Sequence, residues 1–358
     1  MSDAEETGSA PGANRAPFGA KNRQRLIKAF IESTGQQRET PYWESVYRLL
    51  LWADKTNGLG HCYESDKCQP GKPWYPRALR FHDWLATALD CEPSQVGAQL
   101  DWLFRRTADE FAAEVLRNQQ TLLRRAIAQR QGFEGRGFPE PGEDPAIIQI
   151  IRETLGSRLL EEPSSHEWVV LTQRIREVIA VENKRKNLVG EGFEDVLAEL
   201  LKKPAAGSFE VAARRALHEI PGFGNVRKGE KINKVDLAIV DTKHGRHTLV
   251  TAKWSIRADR EKQFAAEFSS YVQARSNLEA FGYTLVTNEF DPARLARACE
   301  AMAANGRMFT HVVHINPAAL RAVYGVNVES SMRKVLGHLE AKRLIGLDEW
   351  VEHLRANT

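Results

Sequence analysis

Hydrophobic residues recur at helical spacing through the first half of the chain, from about residue 20 to residue 182. Ile27, Phe30 and Ile31 form one stripe. Val46, Leu49, Leu50 and Trp52 form a second, and Trp74, Leu79, Trp84 and Leu85 a third. Returns every three or four residues collect side chains on one face of an α-helix. Pro93-Ser94 opens what the pattern predicts to be a long helix reaching Gln131, with Leu100, Leu103, Phe104, Phe111, Val115 and Leu122 on its apolar face. The segment GFEGRGFPEPGED, residues 132–144, interrupts it with glycines and prolines that favour turns. Two more helices are expected, from Pro145 to about Leu160 and from Glu167 to about Val181.

The period changes in the second half. GEGFEDVLAELLKK, from Gly190, reads as a helix with an acidic first turn. After Gly222 the spacing falls to two: VDLAIV and HTLVTAKWSI read as strands, separated by a turn at Lys243-His244-Gly245. A helix from Asp259 to about Ser276, a strand at 283–287, a helix at 291–304 and a strand at 310–315 follow, and residues 318–355 look helical. This order predicts an α/β domain with a mixed central sheet over residues 183–358, preceded by an all-helical domain over 19–182. The helical domain is expected to serve DNA contact, dimerisation or both. Residues 1–18, rich in Gly, Ala, Pro and acidic side chains, are expected to be a disordered tail.

Composition narrows the class only a little. At 42% hydrophobic and 27% charged, the chain has the make-up of a globular protein. Four scattered cysteines, Cys62, Cys68, Cys91 and Cys299, are too few for a disulfide framework, so a reducing cytoplasm is expected. Cys62 and Cys68 with His61 and His82 have poor spacing for structural zinc. No apolar run is long enough to span a bilayer, so no membrane partner is expected. The glycines of GFGN, 222–225, lack the strand-to-helix context of a nucleotide site, and no nucleotide cofactor is expected. The net charge of +3 is nearly neutral, but from Arg227 to Lys262 basic residues outnumber acidic ones two to one. That local excess suits a phosphate-lined partner, and equally a solvated sheet edge.

The same stretch carries the candidate chemistry. Asp236 sits on an otherwise apolar strand, where a charge is costly unless it has a partner. On the next strand, alternation places Thr251, Lys253 and Ser255 on one face. Glu267 follows on the predicted helix, and Glu194 lies on the helix before the sheet. Two carboxylates and a phosphate oxygen are enough for Mg²⁺, which keeps several of its waters. A lysine beside them can offset negative charge developing on a phosphate. Just past Lys253 come Arg257, Asp259 and Arg260. An arginine fork matches the O6 and N7 of guanine, and a carboxylate accepts from the N4 of cytosine. The alternatives are plainer: a strand-end salt bridge for Asp236, Lys253 and Glu267, a first-turn residue for Glu194, and a helix cap for Asp259. Trp43, Trp52, Trp74 and Trp84 read as core, and Arg77, Arg80, Arg105 and Arg106 as either DNA-facing or solvated.

The aspartate on one strand and the lysine on the next resemble the core of the PD-(D/E)XK nucleases. The residue two before the lysine is Thr251, where that superfamily usually has an acid. The pattern is similar to the CCGG-family type II restriction endonucleases, in which a glutamate on the following helix supplies the missing carboxylate. The resemblance covers about 35 residues closely. It implies a restriction-endonuclease-like α/β core, with Asp236 and Glu267 as metal ligands and Lys253 as the catalytic lysine. It further implies Glu194 as an accessory glutamate, Thr251 in the place of the lost acid, and Arg257, Asp259 and Arg260 as base readers. The activity implied is Mg²⁺-dependent cleavage of double-stranded DNA by a prokaryotic homodimer or tetramer. The target would be palindromic with a CC/GG core, CCGG or CCNGG, cut to leave 5′ overhangs. Two alternatives stay open: a less specific nuclease of the same superfamily in repair or defence and, because Thr251 breaks the common motif, a DNA-binding protein that does not cut.

Overall fold

The computed structural model describes residues 16–33, 40–62, 66–137, 144–158, 161–202, 209–224, 234–257, 260–275, 281–303, 306–326 and 328–356. In chain order, the first helices are α1 (Ala20–Ser33), α2 (Tyr42–Leu50), α3 (Tyr75–Ala88), α4 (Val96–Gln99), α5 (Trp102–Arg130), α6 (Pro145–Leu155) and α7 (Ser165–Lys202). Then come β1 (Phe209–Ala216), β2 (Lys234–Asp241), β3 (His247–Lys253), α8 (Arg260–Ala274), β4 (Gly282–Thr287), α9 (Pro292–Glu300) and the short strands β5 (Met302–Ala303) and β6 (Gly306–Arg307). The chain continues through β7 (His311–His314), α10 (Pro317–Tyr324), α11 (Ser330–Glu340), β8 (Leu344–Gly346) and α12 (Leu347–Ala356). No described helix is long and apolar enough to cross a membrane.

The architecture is α/β with a mixed six-stranded sheet, order β1-β2-β3-β4-β7-β8. β1, β2 and β3 run antiparallel, and β3, β4, β7 and β8 run parallel. Helices cross between the parallel strands, as parallel pairing requires. The central strands carry the core: Leu237, Leu249, Leu285, Val286, Val312 and Val313 are all buried.

Residues 106–188 cluster as one compact unit, and residues 20–105 group with 189–358 as another. Helices α1 to α3, expected in a separate N-terminal domain, therefore belong with the sheet. Their apolar stripes explain why. Ile27, Phe30 and Ile31, with Val46, Leu49 and Leu50, are buried as their spacing predicts. The Tyr47 hydroxyl donates to Asn288 Oδ1 at 2.8 Å, and the Phe81 ring meets Phe290 edge-on at 5.2 Å. Trp43 and Trp84 pack 5.7 Å apart around the same centre. Arg77 and Arg80 are structural: Arg77 pairs with Glu329, and Arg80 donates to the Val323 carbonyl.

Other elements depart from the predicted ones. α7 is one helix where two were expected, because the residues between them, Glu182 to Lys186, are mostly good helix formers and its glycines cost only about 1 kcal/mol each. The long helix expected from Pro93 is broken at Leu100 and Asp101, where Asp101 takes a left-handed φ of 61°. β1 and β8 were not expected: FEVAARRA is poor in strand-forming residues, and LIG is too short to show a period. The first 15 residues of the expected tail lie outside the described residues, while Phe18 packs edge-on against Phe111 at 5.9 Å.

The N-terminus of α2 is held by a residue far along the chain. Asp348 on α12 accepts from the Tyr42 amide at 2.6 Å and the Trp43 amide at 3.4 Å. Pro41 precedes the helix and offers no side-chain acceptor. Asp348→Ala should therefore cost about 1 kcal/mol, the usual worth of an N-cap. Urea denaturation compared with wild type checks this. An unchanged midpoint would show that the contact does not hold the helix.

Candidate active site

β2 and β3 pair from Leu237 with Val250 to Val240 with His247, and beyond Leu237 the two strands separate. Separation deprives the β3 backbone of ladder partners on that side, and a buried N–H must be satisfied. Asp236 does this. Its Oδ2 accepts from the Ala252 amide at 2.9 Å, from Thr251 Oγ1 at 3.2 Å and from Lys253 Nζ at 2.6 Å. Oδ1 takes no hydrogen bond among the described residues. The Asp236 and Lys253 side chains remain about one-fifth exposed. The aspartate thus closes a splayed sheet with one oxygen and presents the other.

Two further carboxylates surround this pair. Glu267 on α8 accepts from Gln263, one turn earlier, at 2.6 Å and from the Tyr283 hydroxyl at 3.3 Å. Burial raises its pKa; Lys253 opposes the rise and the Asp236 charge adds to it. Glu194 lies well inside α7, so the helix dipole at a first turn does not account for it. Burial first, then the charge of Asp236, lifts the Glu194 carboxyl to about 7, against the pull of Arg214 and Lys253. Glu194, Asp236, Lys253 and Glu267 therefore share one electrostatic field.

Arg214 was not anticipated. It lies on β1 opposite Asp236, between the register pairs Ala213 with Leu237 and Arg215 with Val235. Its φ of 51° is left-handed, which a non-glycine residue seldom adopts inside a strand. Such strain persists only where surrounding contacts hold it. Here the guanidinium donates to Glu194 at 2.9 Å and to Asp195, and Asp195 also pairs with buried Arg23 at 2.8 Å. The only sequence signal was a doubled arginine in an alanine-rich stretch that does not read as a strand.

Thr251 is buried beside Asp236, and Ser255 lies just beyond the end of β3. Arg257 is exposed past the same strand end, and Arg260 is the first residue of α8. Asp259 and the side chain of Arg260 lie outside the described residues. His82 is committed to the backbone, accepting from the Gly60 amide at 2.7 Å through Nδ1, with Nε2 2.9 Å from the Pro93 carbonyl.

Among the described residues, no three His, Cys, Asp or Glu side chains converge as a set that could hold an ion. The donor set still fits a hard dication that keeps much of its water, for which two carboxylates suffice. Among the described residues Asp236 Oδ1 takes no hydrogen bond, and the charge of Asp236 adds to the rise that burial gives the Glu267 carboxyl, crowding that a cation would relieve. Comparison with known protein families and with curated proteins finds no match for this chain.

The raised Glu194 pKa has a thermodynamic consequence. Between about pH 4.5 and pH 7 the folded protein keeps a proton that the unfolded chain has released. The stability this confers is fully present below the lower value and is lost as pH rises through the upper. The full swing is on the order of 3 kcal/mol. Glu194→Gln should flatten that loss, leaving the smaller slope due to Glu267. Urea midpoints at pH 5 and pH 7.5 measure it, and an unchanged difference between the two would contradict the assignment.

Proposed function

We propose that this protein is a metal-dependent phosphodiesterase acting on double-stranded DNA. Its more particular character is that of a type II restriction endonuclease with a restriction-endonuclease-like core, working as a homodimer at a palindromic CC/GG target. The observation that carries this reading is the junction of Asp236, Lys253 and the Ala252 amide where β2 and β3 part, with Glu267 and Glu194 in its field. A strand-end salt bridge explains the first contact but not two additional carboxylates with raised pKa.

In this reading Asp236 and Glu267 would hold Mg²⁺, which would supply Lewis-acid polarisation of the phosphate and acidify a bound water. Lys253, fixed on Asp236 Oδ2, places its positive charge where negative charge grows on the phosphate. Glu194, whose carboxyl is raised by burial and by the charge of Asp236, would take a proton from the attacking water. The water oxygen bonds to phosphorus as the bond to the 3′ oxygen breaks, and the departing 3′ oxygen takes a proton from solvent, leaving a 5′-phosphate and a 3′-hydroxyl. Arg214 keeps Glu194 in place. The path from Lys253 to Arg257 and α8 carries the base-reading residues Arg257, Asp259 and Arg260. A two-fold axis would present the set twice to a palindrome.

Incubation of plasmid DNA with the full chain and Mg²⁺ should give discrete fragments, and EDTA should stop the reaction. A smear would identify a less specific nuclease, and uncut plasmid a binding protein. Asp236→Ala, Lys253→Ala and Glu267→Ala should each reduce cutting by at least a hundredfold while leaving specific binding in Ca²⁺ largely intact. Near-normal cutting by any one of them removes it from the site. Arg257→Ala and Arg260→Ala should each weaken specific binding by roughly 2–6 kcal/mol across a dimer, with a much smaller effect on scrambled duplex. Asp259→Ala should lower specific affinity and hold or raise non-specific affinity. Equal losses on both duplexes at fixed salt would make the arginines phosphate clamps.

A further inference from the structure

Beyond β4 the chain turns through Asn288, Glu289 and Asp291 into α9, and this turn lies against the exit from β3. Glu289 is almost wholly buried, at 4% exposure. Its Oε2 accepts from the Ile256 amide at 2.7 Å and its Oε1 from the Asp291 amide at 2.7 Å. The other face of the exit segment is held as well. The Trp254 carbonyl accepts from the Asn288 amide at 2.9 Å and from Thr287 Oγ1 at 3.4 Å. Thr287 Oγ1 also accepts from the Glu289 amide at 3.2 Å, and Asn288 Oδ1 takes the Tyr47 hydroxyl. Side chains add to the grip. Ile256 is completely buried, and the Trp254 ring meets Phe193, next to Glu194, edge-on at 5.3 Å.

Burying a carboxylate is unfavourable unless its oxygens receive strong donors. Arg294 on α9 stands 3.7 Å from Oε2 and offsets part of that cost, while the two closest donors are the Ile256 and Asp291 amides. A backbone amide can be satisfied by a carbonyl, as most are. A charged acceptor at this point makes the bond to Ile256 stronger than a carbonyl would. The three residues so clamped, Trp254 to Ile256, are all that separate Lys253 from Arg257.

We propose that Glu289 is a positioning residue that locks this segment, so that the lysine acting on phosphate and the arginine reading a base keep one fixed offset. The inference rests on the functional reading above. It adds that discrimination between targets depends on a residue touching neither DNA nor metal. With the offset fixed, a misread base displaces Lys253 from its phosphate. With the clamp loosened, reading and cutting become independent.

The test uses the full chain with Glu289→Gln and Thr287→Val. The amide of the first can accept from only one of the two N–H groups. The second removes the hydroxyl bridging Trp254 and Glu289 with little change in shape. Hydrogen exchange of the peptide containing Ile256 and Arg257 should accelerate at least tenfold in Glu289→Gln and severalfold in Thr287→Val, with distant core peptides unchanged. This readout holds whether or not the protein cuts DNA, so it separates failure of the clamp from failure of the functional reading. On a duplex carrying the mapped cut site and one with a single altered base, the ratio of cleavage rates should fall at least tenfold in Glu289→Gln. A purely structural residue would lower both rates together and leave their ratio intact. Should Glu289→Gln fail to fold, Thr287→Val decides. Wild-type exchange at Ile256, or a wild-type ratio of rates where the wild type itself discriminates, in a folded variant overturns the proposal.

Discussion

A carboxylate on a buried strand needs donors, and the rest of the site is arranged around how Asp236 finds them. Its own strand, β2, parts from β3 just where its side chain begins, leaving the Ala252 amide without a ladder partner. Asp236 fills that vacancy with one oxygen and draws Lys253 to the same atom. Its charge then acts on everything nearby. It adds to the rise that burial gives the Glu194 and Glu267 carboxyls, and it lies opposite the strained Arg214. Removing this one side chain would leave the Ala252 amide and the Lys253 ammonium without the acceptor they share.

The site is held from several directions by elements distant in sequence. Arg23 on α1 pairs with Asp195 on α7, and Asp195 with Arg214 on β1. Tyr47 on α2 reaches Asn288 after β4. α8 supplies Glu267, and β4 supplies the tyrosine that bonds to it. Helices that the apolar pattern assigns to a separate domain thus brace the sheet. The two ends of the proposed chemistry, phosphate attack at Lys253 and base reading from Arg257, are joined by a clamped segment.

What could be read from the sequence follows from range. Period-two runs such as VDLAIV and HTLVTAK are long enough to announce strands, and the burial of Leu237, Leu249 and Val250 agrees. The helical stripes of Ile27, Phe30, Val46 and Leu49 were equally clear, because an amphipathic face is written locally. Asp236 and Lys253 stood out because charge on an apolar strand needs an explanation, and each proves to be the other's partner. Arg214 was not legible: its role comes from register with a strand about twenty residues later and from a backbone angle that no pattern encodes. Glu289 was hidden for the same reason, being one more acid in a loop until β3 and β4 lie side by side. The grouping of α1 to α3 with the sheet was also out of reach, since a stripe says that a face is buried but not against what.

The central claim is that one site reads a short sequence and cuts beside it. Sequencing every DNA end produced by the full chain from a complex genomic substrate tests that claim most directly. The account predicts ends that all fall at one palindromic sequence with a CC/GG core, at a constant offset from its axis on both strands. Ends scattered without a shared sequence, or ends at a shared sequence lacking paired C·G steps, would contradict it.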